Sequence, residues 1–175
     1  MSVRIGLLSD THSYLDPAIL EHFAGCDEVW HAGDVGDPAV LDALEAFRPV
    51  RGVYGNIDDT AIRQRLPLDA CFTVGGVKVL MTHVGGYPGR YTARVRKLIE
   101  AERPDLYICG HSHILKVMMD KTRKVLHMNP GACGRHGFHR MRTVLRFSVN
   151  EGRIEDLEVI ELGLRGAVPP DFLPD

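Results

Sequence analysis

Residues able to hold a divalent cation recur along this chain, each group following an apolar run. Asp10 and His12 follow the run 3–9, Asp34 follows Gly33, Asn56 follows Gly55, His83 ends the run 77–81, and His111 and His113 lie in a Gly-His-Ser-His string. Carboxylate oxygen, amide oxygen and imidazole nitrogen together suit Mn²⁺, Fe²⁺ or Zn²⁺. The cysteines, Cys26, Cys71, Cys109 and Cys133, form no CxxC pair and lack the spacing of a structural zinc site, so they read as reduced, partly buried thiols. Two ions account for seven ligands. Asp10 and His12 can reach one ion across a bend, and a single carboxylate such as Asp34 can bridge a pair.

Taken singly, most of these residues have a plainer role. An Asp after a strand is usually a cap or turn former, and a lone His is usually a satisfied imidazole. Two imidazoles bracketing one residue after an apolar run are harder to explain by packing, and the conjunction of all five groups is harder still. His22 and His31 fall in or beside regular elements. His127, His136 and His139 read as surface groups that can flank the cavity, and they stay outside the ligand set.

The elements that must position these residues follow from apolar periodicity. Short strands are expected at 3–9, 28–32 and 50–54. Between them, Asp16-Pro17 and Asp37-Pro38 each supply a helix cap and first helical residue. Val40, Leu41, Leu44 and Phe47 recur at helical spacing. This β-α-β-α-β order implies parallel strands joined by crossover helices, with a site beyond the strands' carboxyl ends. Beyond Pro67 the pattern becomes mostly β: a hairpin from 71–74 and 77–81 about Gly75-Gly76, a helix over 91–102, strands at 106–109, 114–119 and 125–128, and a last hairpin from 143–149 and 154–159. Two face-to-face sheets with helices outside are expected, in one domain spanning 1–175 with a core to about 163 and a loose tail after Leu164.

Composition narrows the function. The 175 residues are 45% hydrophobic and 25% charged, ordinary for a compact domain, and the formal net charge is −2. Without a global positive field, nucleic acid is not the preferred partner. No apolar run reaches the roughly 18 residues of a membrane helix, so a cytoplasmic protein without a membrane partner is expected. Exposed hairpin edges in the second half make a homodimer or homotetramer the expected assembly.

The succession Ser-Asp-Thr-His at 9–12, Gly33-Asp34, Gly55-Asn56, His83 and Gly-His-Ser-His at 110–113 resembles the calcineurin-like metallophosphoesterase superfamily over 3–128. Residues 31–36, 110–113 and Asn129-Pro130-Gly131 resemble its small bacterial and archaeal phosphodiesterase subgroup. That resemblance implies an α/β fold, a four-layer α-β-β-α sandwich with mixed sheets. It implies a metal-dependent phosphodiesterase whose two divalent ions, Mn²⁺ first and Ni²⁺, Zn²⁺ or Fe²⁺ as alternatives, share a bridging hydroxide that attacks a small phosphorylated substrate. Asp10, His12 and His113 hold one ion with Asp34 on this reading; Asn56, His83 and His111 hold the other, Asp34 bridges, and Asn56 also contacts substrate.

Ile57 departs from the family pattern. Many members carry a His after the Asn, placed to protonate the leaving group, and Ile57 cannot donate a proton; Asp58 and His127 are the candidates to replace it. Arg90, Arg135 and Arg140 can grip phosphate in principle, although a solvated surface is the ordinary role for such residues. The superfamily also includes a retromer scaffold subunit of similar size, so a metal-binding interaction scaffold and a phosphomonoesterase are the alternative functions.

Overall fold

The computed structural model describes residues 1–167, and the expected loose tail lies mostly outside them. Residues 165–167 form a 3-10 turn.

Two mixed five-stranded sheets carry the fold. The first contains β1 (Val3–Leu8), β2 (Glu28–His31), β3 (Val50–Gly52), β9 (Met141–Asn150) and β10 (Arg153–Leu164), in the order β10-β9-β1-β2-β3. The second contains β4 (Asp69–Val74), β5 (Val77–Thr82), β6 (Leu106–Ile108), β7 (Leu115–Asp120) and β8 (Val125–Pro130), in the order β4-β5-β6-β8-β7. The neighbours β1-β2-β3 and β5-β6-β8 are parallel, and the flanking pairs are antiparallel.

Strand alternation divides apolar side chains between three cores. Ile5 and Leu7 of β1, Trp30 of β2, and Leu145 and Phe147 of β9 meet Val77, Val79 and Met81 of β5 and Leu106 and Ile108 of β6 between the sheets. The opposite faces are buried too. Leu8, Val29 and Val144 pack under α1 (Pro17–His22) and α2 (Pro38–Phe47), which contribute Ile19, Val40, Leu41 and Leu44. Leu80 and Tyr107 pack under Val95 and Ile99 of α4 (Ala93–Glu102). Four layers, α-β-β-α, result. Strands buried on both faces read as continuous apolar runs, as the sequence does here.

Helix starts follow the expected chemistry. Asp16 and Asp37 accept the backbone N–H of Ala18 and Ala39, with Pro17 and Pro38 in the first helical turn. The third long helix begins at Ala93, not 91, because the Thr92 hydroxyl caps Val95 N–H and Tyr91 is packed into the core. One element was not expected: α3 (Thr60–Arg63), a single turn capped by Asp59. No helix of the described residues is long and apolar enough to cross a membrane.

Candidate metal centre

Every parallel strand that precedes one of the five polar groups delivers it to the same place. β1 leads to Asp10 and His12, β2 to Asp34, β3 to Asn56, β5 to His83, and β6 to His111 and His113. Because β1, β2 and β3 lie in one sheet and β5 and β6 in the other, the groups converge where the carboxyl ends of both sheets meet.

Two sets of donor atoms form there. In each of Asp10, His12, His113 and Asp34, His83, His111, the ligand atoms lie within 4.8 Å of one another. Asn56 joins the second set, its Oδ1 lying 2.9 Å from His111 Nδ1. Asp34 stands between the sets, with Oδ2 at 3.5 Å from His12 Nε2 and 3.1 Å from His83 Nε2. Asp10 Oδ1 is 3.1 Å from His113 Nε2 and 3.7 Å from His12 Nε2. The structure thus brings all seven residues together.

The fit to cations rests on what the remaining atoms do. Asp10 Oδ1, His12 Nε2 and His83 Nε2 are buried without a hydrogen-bond partner among the described residues. Unpartnered buried polar atoms are costly, and these three all point into the centre, the arrangement expected of metal ligands. The opposite atoms of Asp10 and His83 are engaged. Asp10 Oδ2 accepts from the Ser9 hydroxyl at 2.5 Å and from His111 N–H at 3.1 Å. His83 Nδ1 donates to the Ala32 carbonyl at 2.7 Å, leaving Nε2 a lone pair for an ion.

His113 is oriented through another imidazole. His139 Nε2 donates to the Gly134 carbonyl at 2.9 Å, so its Nδ1 accepts from His113 Nδ1–H at 3.3 Å. His113 Nε2 then faces Asp10 Oδ1 with its lone pair available to an ion between them. His31 performs a related task below the loops: Nδ1 accepts from Gly33 N–H at 3.1 Å, and Nε2–H donates to the Thr11 hydroxyl at 3.0 Å, which in turn donates to the Val35 carbonyl at 2.8 Å. Burial lowers the His31 pKa to about 4 and keeps it neutral.

Charge in the centre is strongly coupled. Burial opposes ionisation of Asp10, but the imidazoles of His113, His12 and His83 around it hold its carboxyl well below the usual range. Asp34 is lowered as well: His83 and the Ile57 N–H outweigh its desolvation. The thiols stand apart from this chemistry, since burial pushes Cys109 and Cys133 up to about 12.

Backbone strain marks the same residues. Asp10, His12, Asp34, His111 and His113 all have positive φ, between 46° and 69°. Non-glycine residues pay for this conformation in free energy and hold it only where surrounding structure enforces it. Gly55 supplies room beside them, because an added Cβ would collide with the Asp34 carboxylate.

Asp58 and His127 lie elsewhere than a leaving-group acid would. The Asp58 oxygens accept backbone N–H groups from Val35, Gly36 and Gly55, tying the β2 and β3 loops together. His127 is not a surface group, contrary to expectation: β8 runs between β6 and β7, and the imidazole is buried against Tyr91 and Tyr107 with a 3.1 Å hydrogen bond to the Tyr91 hydroxyl. Neither residue lines the cleft of about 260 Å³ over the centre, whose walls include Asn56, Ile57, His111, His113 and the exposed Phe138. His136 lines this cleft, and His139 lies behind His113.

Ligand-type side chains gathered at the carboxyl ends of two packed mixed sheets are the layout of the metallophosphoesterase fold. The chain belongs to the calcineurin-like phosphoesterase superfamily, whose domain model matches residues 3–152. It is 32% identical over 137 residues to a probable metallophosphoesterase of Methanocaldococcus jannaschii, an alignment covering 75% of this chain and 68% of the relative. In structure it is similar to an archaeal phosphodiesterase, with a TM-score of 0.74 at 22% identity over 91% of this chain and 99% of that one. A point variant of Vps29 from Entamoeba histolytica gives 0.71 at 16% identity, again over 91% and 99% of the two chains.

Proposed function

We propose that this protein is a two-metal hydrolase of phosphate esters, with phosphodiesters as its principal substrates. The observation that carries the reading is the set of buried, unpartnered donor atoms on Asp10, His12 and His83, arranged with Asp34 between two ligand groups. Asp10, His12, His113 and Asp34 would hold one divalent ion, and Asp34, Asn56, His83 and His111 the other, with Mn²⁺ the first choice for this oxygen and nitrogen set. Bound there, the ions would lower the pKa of water and offset negative charge on phosphoryl oxygens.

The chain's own residues supply orientation. Ser9 and the His111 N–H hold Asp10, the Ala32 carbonyl holds His83, and the Ile57 N–H holds Asp34 Oδ1 at 3.1 Å. The Asn56 amide, at the cleft wall, would contact a phosphoryl oxygen. Ile57, half-exposed at the same wall, offers no proton, which favours esters whose leaving group departs without strong acid assistance. A cleft that opens into a neighbouring groove has room for both arms of a diester. The likeness to an archaeal phosphodiesterase supports the same substrate class.

The test is to strip the protein with chelator, restore Mn²⁺, Ni²⁺, Zn²⁺ or Mg²⁺ separately, and assay an activated aryl phosphodiester beside the matching monoester. Metal-dependent diester turnover that exceeds monoester turnover is expected. A folded protein that binds two ions but cleaves neither ester would instead point to an interaction scaffold.

A further inference from the structure

A second cleft leaves the metal ligands by a different route. It shares only Asn56 with the cleft walled by Ile57 and Phe138, which carries no Arg or Lys. The second cavity, of about 280 Å³, begins at Asn56 and His83 and is lined further by Tyr54, Arg63, Leu68 and Val84. Pockets that hold a whole small molecule start at roughly 300 Å³, so this one suits a single arm of a substrate.

Its walls differ in character. Leu68 and Val84 present exposed apolar side chains. Arg63 supplies a cation held from two directions: Nε donates to the Asp58 carbonyl at 2.7 Å, and the guanidinium carbon lies 4.8 Å from the centroid of the Tyr54 ring. Because the Asp58 carboxylate also accepts Gly55 N–H, beside Asn56, Arg63 is fixed relative to the ligand shell. The acids around it are committed elsewhere. Asp59 caps α3 by accepting the Ala61 and Ile62 N–H groups, Asp69 pairs with Arg94, and Asp58 binds three backbone N–H groups. Among the described residues no carboxylate pairs with Arg63, and no Asp or Glu lines the cleft.

The geometry points to a subsite for an anionic arm: with the phosphoryl group at the metal ligands, one arm of the substrate runs along Leu68 and Val84, and the carboxylate or phosphate it carries binds Arg63. The two Nη groups of Arg63 have no partner among the described residues, and guanidinium N–H groups take such oxygens through charge-assisted hydrogen bonds. The substrate class is therefore a phosphate ester with further negative charge on a short, partly apolar arm. This assignment rests on the phosphoesterase reading for the position of the phosphoryl group.

Calorimetry on the Mn²⁺-loaded protein tests it with two pairs of phosphonates, 4-phosphonobutyrate beside butylphosphonate and 4-phosphonobenzoate beside phenylphosphonate. In at least one pair the added charge-assisted contact should give the carboxylated ligand roughly a tenfold lower Kd. That preference should shrink as salt rises and fall to near unity in Arg63→Gln. Circular dichroism, Mn²⁺ binding and an unchanged affinity for the uncharged-arm phosphonates would show that the variant keeps its fold and its centre. Equal affinity within both pairs for the wild type overturns the subsite, whether or not the variant folds, and a preference unchanged in folded Arg63→Gln overturns its location. Turnover of bis(p-nitrophenyl) phosphate is assayed in parallel. A retained preference without turnover would reject the hydrolase reading and leave the subsite standing, whereas turnover without the preference would reject the subsite alone.

Discussion

His113 shows how one residue acquires its role through another. Its ring can present Nε2 to an ion only if the proton sits on Nδ1, and His139 enforces that choice because its own Nε2–H is committed to the Gly134 carbonyl. Removing such an outer partner typically weakens metal affinity about ten- to a hundredfold. His139→Ala should therefore weaken Mn²⁺ binding by about that factor at one of two sites, a loss visible in a metal titration of the folded variant; unchanged affinity at both sites would show that His113 needs no such partner. The seven candidate ligands were legible in the sequence because their types and neighbouring glycines form a chemical pattern. Ser9 and His139 were not: which carboxylate oxygen the Ser9 hydroxyl meets depends on side-chain geometry, and His139 sits 26 residues beyond His113.

At the level of elements, β8 accounts for the sharpest difference between expectation and structure. A short run ending in His-Met-Asn carries no sign of which way its imidazole faces. Pairing with β6 and β7 turns His127 toward Tyr91 and Tyr107, where burial first, then the charge of Lys116, lowers its pKa to about 4 from an ordinary 6.5. In the unfolded chain His127 takes a proton near pH 6.5, whereas the folded chain resists until about pH 4, so stability falls as pH drops through that window. The loss from this group between pH 7 and pH 5 is about 2 kcal/mol. Urea unfolding of metal-free protein at the two pH values should show a smaller loss by about that amount in His127→Gln; equal losses in the two proteins would refute it. The helix caps at Asp16 and Asp37 were readable because their chemistry is local. The turn α3 was not, since four residues give no apolar period, and the ends of β3 and β10 were set by pairing partners and two register shifts.

Across the whole molecule, the two sheets share one core, and this packing sets the site. Ile5, Leu7 and Trp30 from one sheet meet Val79, Met81 and Ile108 from the other, so the carboxyl ends of β1 and β2 are held beside those of β5 and β6. Neither sheet alone contains either full ligand group: Asp10 and His12 need His113, and Asp34 needs His83 and His111. The β-α-β-α-β order at the start and the hairpins after it made two face-to-face sheets legible as a class of fold, while the strand order within each sheet followed only from the pairing.

In a two-metal hydrolase of this geometry both ions are required together and share Asp34. Activity on an aryl phosphodiester, followed as Mn²⁺ is added to stripped protein, tests this alongside Asp34→Asn. Turnover should rise steeply only as the second equivalent binds, and the variant should lose it by at least a hundredfold, about 3 kcal/mol of barrier. Full activity at one equivalent, or an Asp34→Asn protein as active as the wild type, would contradict the shared two-ion centre.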